Sequence, residues 1–436
     1  MSPYSSDPLG PAARLHSALG GPIRTRMHRQ HPPPRRRPPG GRSPLLLLIS
    51  GAATFVAVLV TVTGDTELGR PSVRVASAEE VVFRWSRDAC EPSDAPDLPV
   101  RAFRDWSGQV QMTISHFRNR RLTGSDFDRL RHPCKVSLGS HGNPDPGRFD
   151  DREWIAATYT DDGRTVIALV HNEYQGHRRP ARCPSGRYFS CWYNSVTLAR
   201  SEDGGRTFKH ALSPRHLVAA PPYPYRPDAG PVGVLSPSNI VFNRRDRHHY
   251  VLIHVRRFGA QARGTCVLRS RTPSRADSWR AWDGAAFDRR MTSPYAAPAP
   301  PPAGRVCTPV SQQNIEAMAQ SLTYNTYFDR FLLVGRAGRW DPRRRRIVWG
   351  FYFSLSKDLL RWTERQLIME TEFAETYRCG DANPYNYASV IDRHSRSRNF
   401  ATSGRRADLY FTRFNYAGCR QTQNRDLLRV PIEFSK

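Results

Sequence analysis

Lysine is nearly missing from this chain of 436 residues: of 66 basic residues only Lys135, Lys209, Lys357 and Lys436 are lysine, and the other 62 are arginine. Acid is scarce as well, with 39 Asp and Glu against those 66, so the formal net charge is +27. So lopsided a ratio partly reflects codon usage, and the charge by itself assigns no partner. A basic surface still favours anionic ligands such as acidic polysaccharide, phosphorylated envelope glycan or lipid headgroups. The arginines are scattered through strands and turns and form no stripe interleaved with aromatics, which argues against nucleic acid. Other absences narrow the chemistry. There is no G-x-S-x-G elbow, no P-loop and no G-x-G-x-x-G after a strand, which removes the common serine-hydrolase and nucleotide signatures. Without a C-x-x-C pair a zinc ribbon is excluded and no metal ligand set is read from the sequence. No stretch keeps helical periodicity over three turns.

What is present begins with a basic N-terminus. Residues 1–44 carry eight Arg against the single acid Asp7 and are rich in Pro and Gly, the composition of a disordered segment. Leu45 to Val62 then gives eighteen uncharged, mostly apolar residues, just enough to span a bilayer. Arg35, Arg36, Arg37 and Arg42 precede it, so an uncleaved signal anchor is expected, with the N-terminus cytoplasmic and the rest outside. Val75-Ala-Ser-Ala78 resembles a cleavage site but lies far beyond the apolar run, leaving secretion as the alternative. Residues 63–80 read as a linker. All eight cysteines follow the span, and an even number in an exported domain implies disulfides. Cys183 and Cys191 flank a short loop; sequence order allows Cys90–Cys134, Cys266–Cys307 and Cys379–Cys419 without fixing them.

From residue 81 onward a loose repeat of roughly fifty to seventy residues alternates short strands with polar turns. Its most regular turn is Ser201-Glu-Asp-Gly-Gly-Arg-Thr-Phe208. Ser201 and Asp203 can bond the turn's own backbone, Gly205 can take positive φ, and Phe208 can tuck between strands. This S-x-D-x-G-x-T-F string resembles the Asp-box of sialidases and other β-propellers. Ser356-Lys-Asp-Leu-Leu-Arg-Trp362 is a relaxed copy. Five such units, heading near Val100, Trp154, Ser238, Ile315 and Tyr387, predict an all-β, five-bladed β-propeller over 81–436, with six blades as the alternative. Val81-Val-Phe-Arg-Trp85 and Leu428 to Phe434 are expected to close the ring by sharing a blade.

In that architecture the first strand of each blade lines a central channel, and the chain resembles the five-bladed glycosidases of the arabinanase, xylosidase and invertase group. Glycoside cleavage needs two carboxyls across the scissile bond. The resemblance implies an Asp-Pro-like base opening the first blade, for which Asp97 in Asp97-Leu-Pro99 is the best match, with Asp94 and Asp105 as rivals. It implies an acid opening a later blade, matched by Glu316, expected on a strand among Ile315, Ala317 and Met318 with its pKa raised by apolar neighbours. Asp151 or Glu153 would be the third acid. The inserted Leu98, and the lack of Gly-Pro after Glu316, depart from the family pattern.

His171, Glu173 and Tyr174 form a second polar cluster at the end of an apolar strand, able to do acid–base work or hold a sugar; Asp105 and Asn239 could bind ligand hydroxyls. The expected protein is therefore an exported or membrane-anchored, monomeric propeller that hydrolyses a glycan, one that is acidic on the charge argument. It needs no organic cofactor, and a structural calcium ion in the channel is compatible with it. The alternative is a propeller that binds glycan or an envelope protein without catalysis.

Overall fold

The computed structural model describes residues 70–436, apart from Ser236, Ala299, Pro300 and Ala317. The expected basic segment, membrane span and first part of the linker lie outside the described residues. Among the described residues no helix is long and apolar enough to cross a membrane. The chain there is built from strands and turns, its two α-helices being the single turns Trp85–Asp88 and Gln312–Ile315.

The strands fall into five antiparallel groups. The first contains Arg101–Arg104, Val110–Ile114, Arg118–Gly124 and Leu138–Gly139. The second runs Arg152–Tyr159, Val166–Gln175 and Trp192–Ser201, with Lys209–His210 and Leu217–Ala219 both along the last. The third comprises Val241–Asn243, His248–Val255, Gly264–Ser270, Arg280–Trp282 and Phe287–Arg289. Val232–Leu235 pairs parallel to the second group and antiparallel to the third, fusing them into one eleven-stranded sheet. The fourth holds Ser321–Asn325, Arg330–Asp341, Arg346–Ser356 and Gln366–Glu370. The fifth holds Tyr385–Ile391, Arg406–Phe414 and Arg425–Ser435, with Glu80–Phe83 and Ser72–Val75 added to Arg425–Ser435. N- and C-terminal segments thus share a sheet, with Val81 opposite Leu428. Within the expected linker, Ser72–Val75 pairs with Arg425–Ser435, and alternate residues Val73 and Val75 pack on the core.

Middle strands such as Val166–Gln175 are buried along nearly their whole length. Sheets packed on both faces make period-two patterning unnecessary and favour continuous apolar runs. The interfaces follow chain order. Phe103 and Leu138 meet Ile155, Val166 and Val170 between the first and second groups, and Leu169 and Val196 meet Val251 and Ile253 between the second and third. Leu252 meets Leu322 and Leu333, Phe351 and Phe353 meet Leu409 and Phe411, and Tyr410 and Leu427 return to Val100 and Met112 of the first group.

Two turns carry the same clasp. Gly205 N donates to Ser201 Oγ at 2.8 Å, while Thr207 N and Thr207 Oγ1 donate to Asp203 at 2.9 and 2.7 Å. Gly205 has φ +79°, and a Cβ there would meet Phe103 Cζ at 2.6 Å. At Ser356, Leu359 N donates to the hydroxyl and Arg361 N to Asp358 Oδ1, at 2.8 and 2.7 Å. Four disulfides, Cys90–Cys134, Cys183–Cys191, Cys266–Cys307 and Cys379–Cys419, use every cysteine and point to an extracytoplasmic protein.

Where the first strands of the five groups converge sits Arg101, buried. Its guanidinium donates to Ala156 O (2.8 Å), Pro237 O (3.2 Å), Gln320 O (2.6 Å), Ser389 Oγ (3.3 Å) and Val100 O (3.3 Å), so one side chain touches all five groups. Burial pushes it down to about 9. The guanidinium takes carbonyl oxygens that a calcium ion placed here would need, and would repel it.

Candidate active site

Above this hub the chain gathers polar groups from distant segments. Asp97 precedes the first strand and is tied down by its own N–H, which donates to Ser115 O at 2.9 Å. Its carboxylate accepts from Tyr387 Oη at 2.9 Å, from Trp154 Nε1 at 3.2 Å and from the guanidinium of Arg425. His116 Nε2 lies 3.7 Å away. Tyr387 reaches Asp97 because the register of Tyr385–Ile391 shifts between Asn386 and Ser389. Tyr387 itself has φ +62°, a conformation a side chain resists, and such bulges re-aim side chains beside functional sites. Burial, then the charge of Asp97, hold the Tyr387 hydroxyl well above its ordinary pKa, so it stays a donor. Burial drives His116 down to about 4, a pull that Asp97 only partly resists, and the ring is neutral at pH 7.

Glu173 is the neighbouring carboxyl. It accepts from Gln175 Nε2 (2.8 Å) and Tyr188 Oη (2.9 Å) and pairs with His171 Nε2 at 3.1 Å. Burial pushes Glu173 up, but the hydrogen bond and charge of His171 outweigh it and leave the carboxyl below its ordinary value. Aromatic rings bridge the two acids, His116 to Trp154 at 5.8 Å and Trp154 to His171 at 6.1 Å between centroids. Tyr188 comes from the loop closed by Cys183–Cys191 and packs on Trp192 at 5.9 Å. Glu375, on the loop after Gln366–Glu370, is hydrogen-bonded by Arg336 at 2.9 Å and acts through space on Tyr387 and Arg256. Half of its side chain is open to solvent.

The sequence-predicted residues scatter more widely than expected. Asp97, His171 and Glu173 come together. Glu316 does not sit on a strand: it follows the helical turn Gln312–Ile315 at φ +45°, is exposed, and pairs with Arg263 at 3.2 Å. The expected apolar setting is therefore absent, because the backbone turns the side chain out while Ile315 and Met318 take the core positions. Ala317 lies outside the described residues. Asp151 is locked by Arg179 at 2.7 and 2.9 Å and by Gln175 N, which fixes a loop. Glu153 is fully buried but faces His141 and His210, on the strand side opposite Trp154. Asp105 caps its own turn through Ser107 N and Gln109 N. Asp94 is held by His132 at 2.7 Å. Tyr174 is buried with its hydroxyl donating to Pro144 O. Asn239 exchanges hydrogen bonds with Leu322, joining the third and fourth groups. Sequence reasoning missed Tyr387, Arg425, His116, Tyr188, Arg336 and Glu375. None stands in a local motif, and only closure of the sheets brings them to Asp97.

No family model matches the sequence, nor does any curated protein. In overall structure the chain is similar to propeller glycosidases of the arabinanase type. An α-L-arabinanase of Cellvibrio cellulosa bound to arabinohexaose matches at 10% identity, covering 77% of this chain and 91% of that one, TM-score 0.41. An exo-1,5-α-L-arabinanase from a bovine ruminal metagenomic library matches at 10%, covering 77% and 94%, TM-score 0.42. An N-acetylgalactosamine deacetylase of F. plautii, in complex with blood group B trisaccharide, matches at 12%, covering 82% and 94%, TM-score 0.42. At these values no residue role passes from them to this chain.

Proposed function

We propose that residues 70–436 form a five-bladed propeller that hydrolyses a glycan in the cleft around Asp97. The observation that carries this reading is the Asp97 cluster, a solvent-reachable carboxylate held by Tyr387, Trp154 and Arg425 beside a second carboxyl, Glu173, with the partly exposed rings of Tyr188 and Trp192 suited to a sugar face. The blade count is supported by the five successive apolar interfaces and by the five-way contacts of Arg101. In this reading Asp97 is the base or nucleophile. Glu173, kept anionic by His171, tunes the charge of the cleft and steadies positive charge developing on the sugar. Glu316 is carried over from the sequence alone as the proton donor, and it stands exposed and paired with Arg263. The arginines of the cleft, Arg425, Arg336 and Arg256, favour a substrate carrying carboxylate or phosphate. The N-terminal span, as read from the sequence, would anchor the propeller outside the cytoplasm.

A second reading, glycan binding without hydrolysis, is favoured by one feature: Asp97, Glu173 and Glu375 are each already paired with a basic side chain. One set of assays separates the two. The full-length protein is incubated with a panel of neutral and acidic glycans and products are counted as new reducing ends. Hydrolysis that falls at least about 1,000-fold in Asp97→Asn, with binding retained, supports the enzyme. Glu316→Gln should lose unactivated glycans but keep aryl glycosides with good leaving groups, which need little protonation. Binding with no product from any glycan leaves the second reading, and full activity in Asp97→Asn rejects the site.

A further inference from the structure

We propose that His141, Glu153 and His210 form a binding site for a divalent first-row transition cation, zinc foremost, at the junction of the first and second strand groups. The three residues come from separate places: His141 from the loop after Leu138–Gly139, Glu153 from Arg152–Tyr159, and His210 from Lys209–His210. Their donor atoms all lie within 4.8 Å of one another. His141 Nδ1 is 2.7 Å from Glu153 Oε2, His210 Nε2 is 3.3 Å from Glu153 Oε1, and the two imidazole nitrogens are 3.3 Å apart. A tetrahedral zinc with bonds of about 2.0–2.1 Å has donor–donor edges of about 3.3–3.4 Å. The edge between the two imidazole nitrogens already matches, each imidazole faces one oxygen of the Glu153 carboxylate, and His141, half-exposed on its loop, has room to adjust.

The hydrogen-bond pattern calls for a cation. His210 Nδ1 lies 2.9 Å from Ala211 O, and a carbonyl can only accept, so Nδ1 carries the proton. This is the backbone anchor that fixes the tautomer of a metal-bound histidine. It leaves Nε2 turned toward the carboxylate and toward the other imidazole. With a neutral His210 ring its Nε2 lone pair would face the carboxylate and the nitrogen of His141, whereas a metal ion satisfies all three donors together. Two further buried groups stand at the site. Asp150, one of the residues nine-tenths buried, has an Oδ1 without a hydrogen-bond partner and is within electrostatic reach of Glu153, His141 and His210. His216 stacks on His210 at 4.4 Å and 15° and clamps that ring. Two imidazoles and a carboxylate suit zinc, cobalt or iron(II) rather than calcium or magnesium. The half-exposed His141 leaves a coordination position for water, or for Asp150. Glu153 points away from the Asp97 cluster, so the site stands apart from the proposed hydrolytic cleft and its test does not depend on it.

The experiment uses untagged full-length protein, stripped with chelator, with Zn(II) and Co(II) as probes. One equivalent of zinc should survive desalting, cobalt should give the visible d–d bands of a low-coordinate N/O site, and zinc at a hundredfold excess over Kd should raise the melting midpoint by about 3–4 °C. His141→Ala, a half-exposed position whose loss spares the core, should weaken zinc at least about 100-fold while leaving the metal-free midpoint unchanged. His141→Ala/His210→Ala should abolish both the cobalt bands and the shift. Retention of zinc with unchanged affinity in the double variant would assign the metal to surface histidines and overturn the proposal. Less than about a tenth of an equivalent bound by the unsubstituted protein would overturn it equally.

Discussion

Replacing Arg101 by methionine should loosen the packing of the strand groups, because its guanidinium bonds segments of all five. Methionine keeps much of the volume and removes five charge-assisted hydrogen bonds, to Ala156, Pro237, Gln320, Ser389 and Val100. Bonds from a charged donor contribute roughly 1.5–3 kcal/mol each, so the set is worth at least about 7.5 kcal/mol. Against this stands the cost of burying the charge. A shift from 12.5 down to about 9 corresponds to about 5 kcal/mol, which the uncharged residue recovers. The net loss is therefore at least about 2.5 kcal/mol. For a domain of about 370 residues the unfolding entropy is near 0.8 kcal/mol per degree, so the midpoint should fall by about 3 °C or more. Arg101→Lys, with three donors for five acceptors, should fall between the two. Differential scanning calorimetry with circular dichroism would read both variants. A methionine variant that melts at or above the parent temperature would mean that the buried charge is a burden which packing alone can replace, and the hub argument would be wrong.

Three further outcomes follow from local geometry. Gly205→Ala should cost roughly 2–4 kcal/mol, because it combines positive φ with a clash on Phe103, whereas Gly142→Ala has the same sign of φ and open space and should cost about 1 kcal/mol; equal urea midpoints would discard the clash. His116 is neutral in the fold with a pKa of about 4 against 6.5 when free, facing Asp97, Glu173, Arg425 and Arg152. The unfolded chain therefore binds the extra proton between pH 6.5 and 4, and stability should drop across that window by up to about 3 kcal/mol, a drop that His116→Phe should reduce; an unaltered pH profile in that variant would refute it. Cys266–Cys307 closes a loop of 41 residues and Cys183–Cys191 one of 8, so removal of the former pair should destabilise by about 4 kcal/mol and of the latter by about 2.5 kcal/mol, an order that chemical unfolding would check.

What the sequence determined by itself is what short-range physics encodes. The clasps at Ser201 and Ser356 form from residues two to five positions apart, so their motif is readable before any fold is known. The apolar runs of the middle strands, the even number of cysteines and the sharing of a sheet by the two ends were legible for the same reason: each is a property of one continuous stretch or of simple chain order. Asp97 could be named from its likeness to the Asp-Pro element of the glycosidases, and His171 and Glu173 because they stand toward the end of an apolar strand, where polar residues are conspicuous. The tertiary structure alone decided which of these acids meet. Asp97 finds Arg425 across 328 positions and Tyr387 across 290, partners chosen by closure of the sheets and by a bulge at Asn386. Glu316 looked buried because its neighbours are apolar, yet a backbone turned to positive φ puts it in water while Ile315 and Met318 stay inside. Glu153 read as one acid among several in Asp150-Asp-Arg-Glu153, and strand alternation sent it away from Trp154 toward two histidines that no motif connects to it. Spacing along the chain fixes only which face of a strand a side chain shares with its neighbours two positions away; what waits on that face depends on sheets assembled from residues hundreds of positions apart.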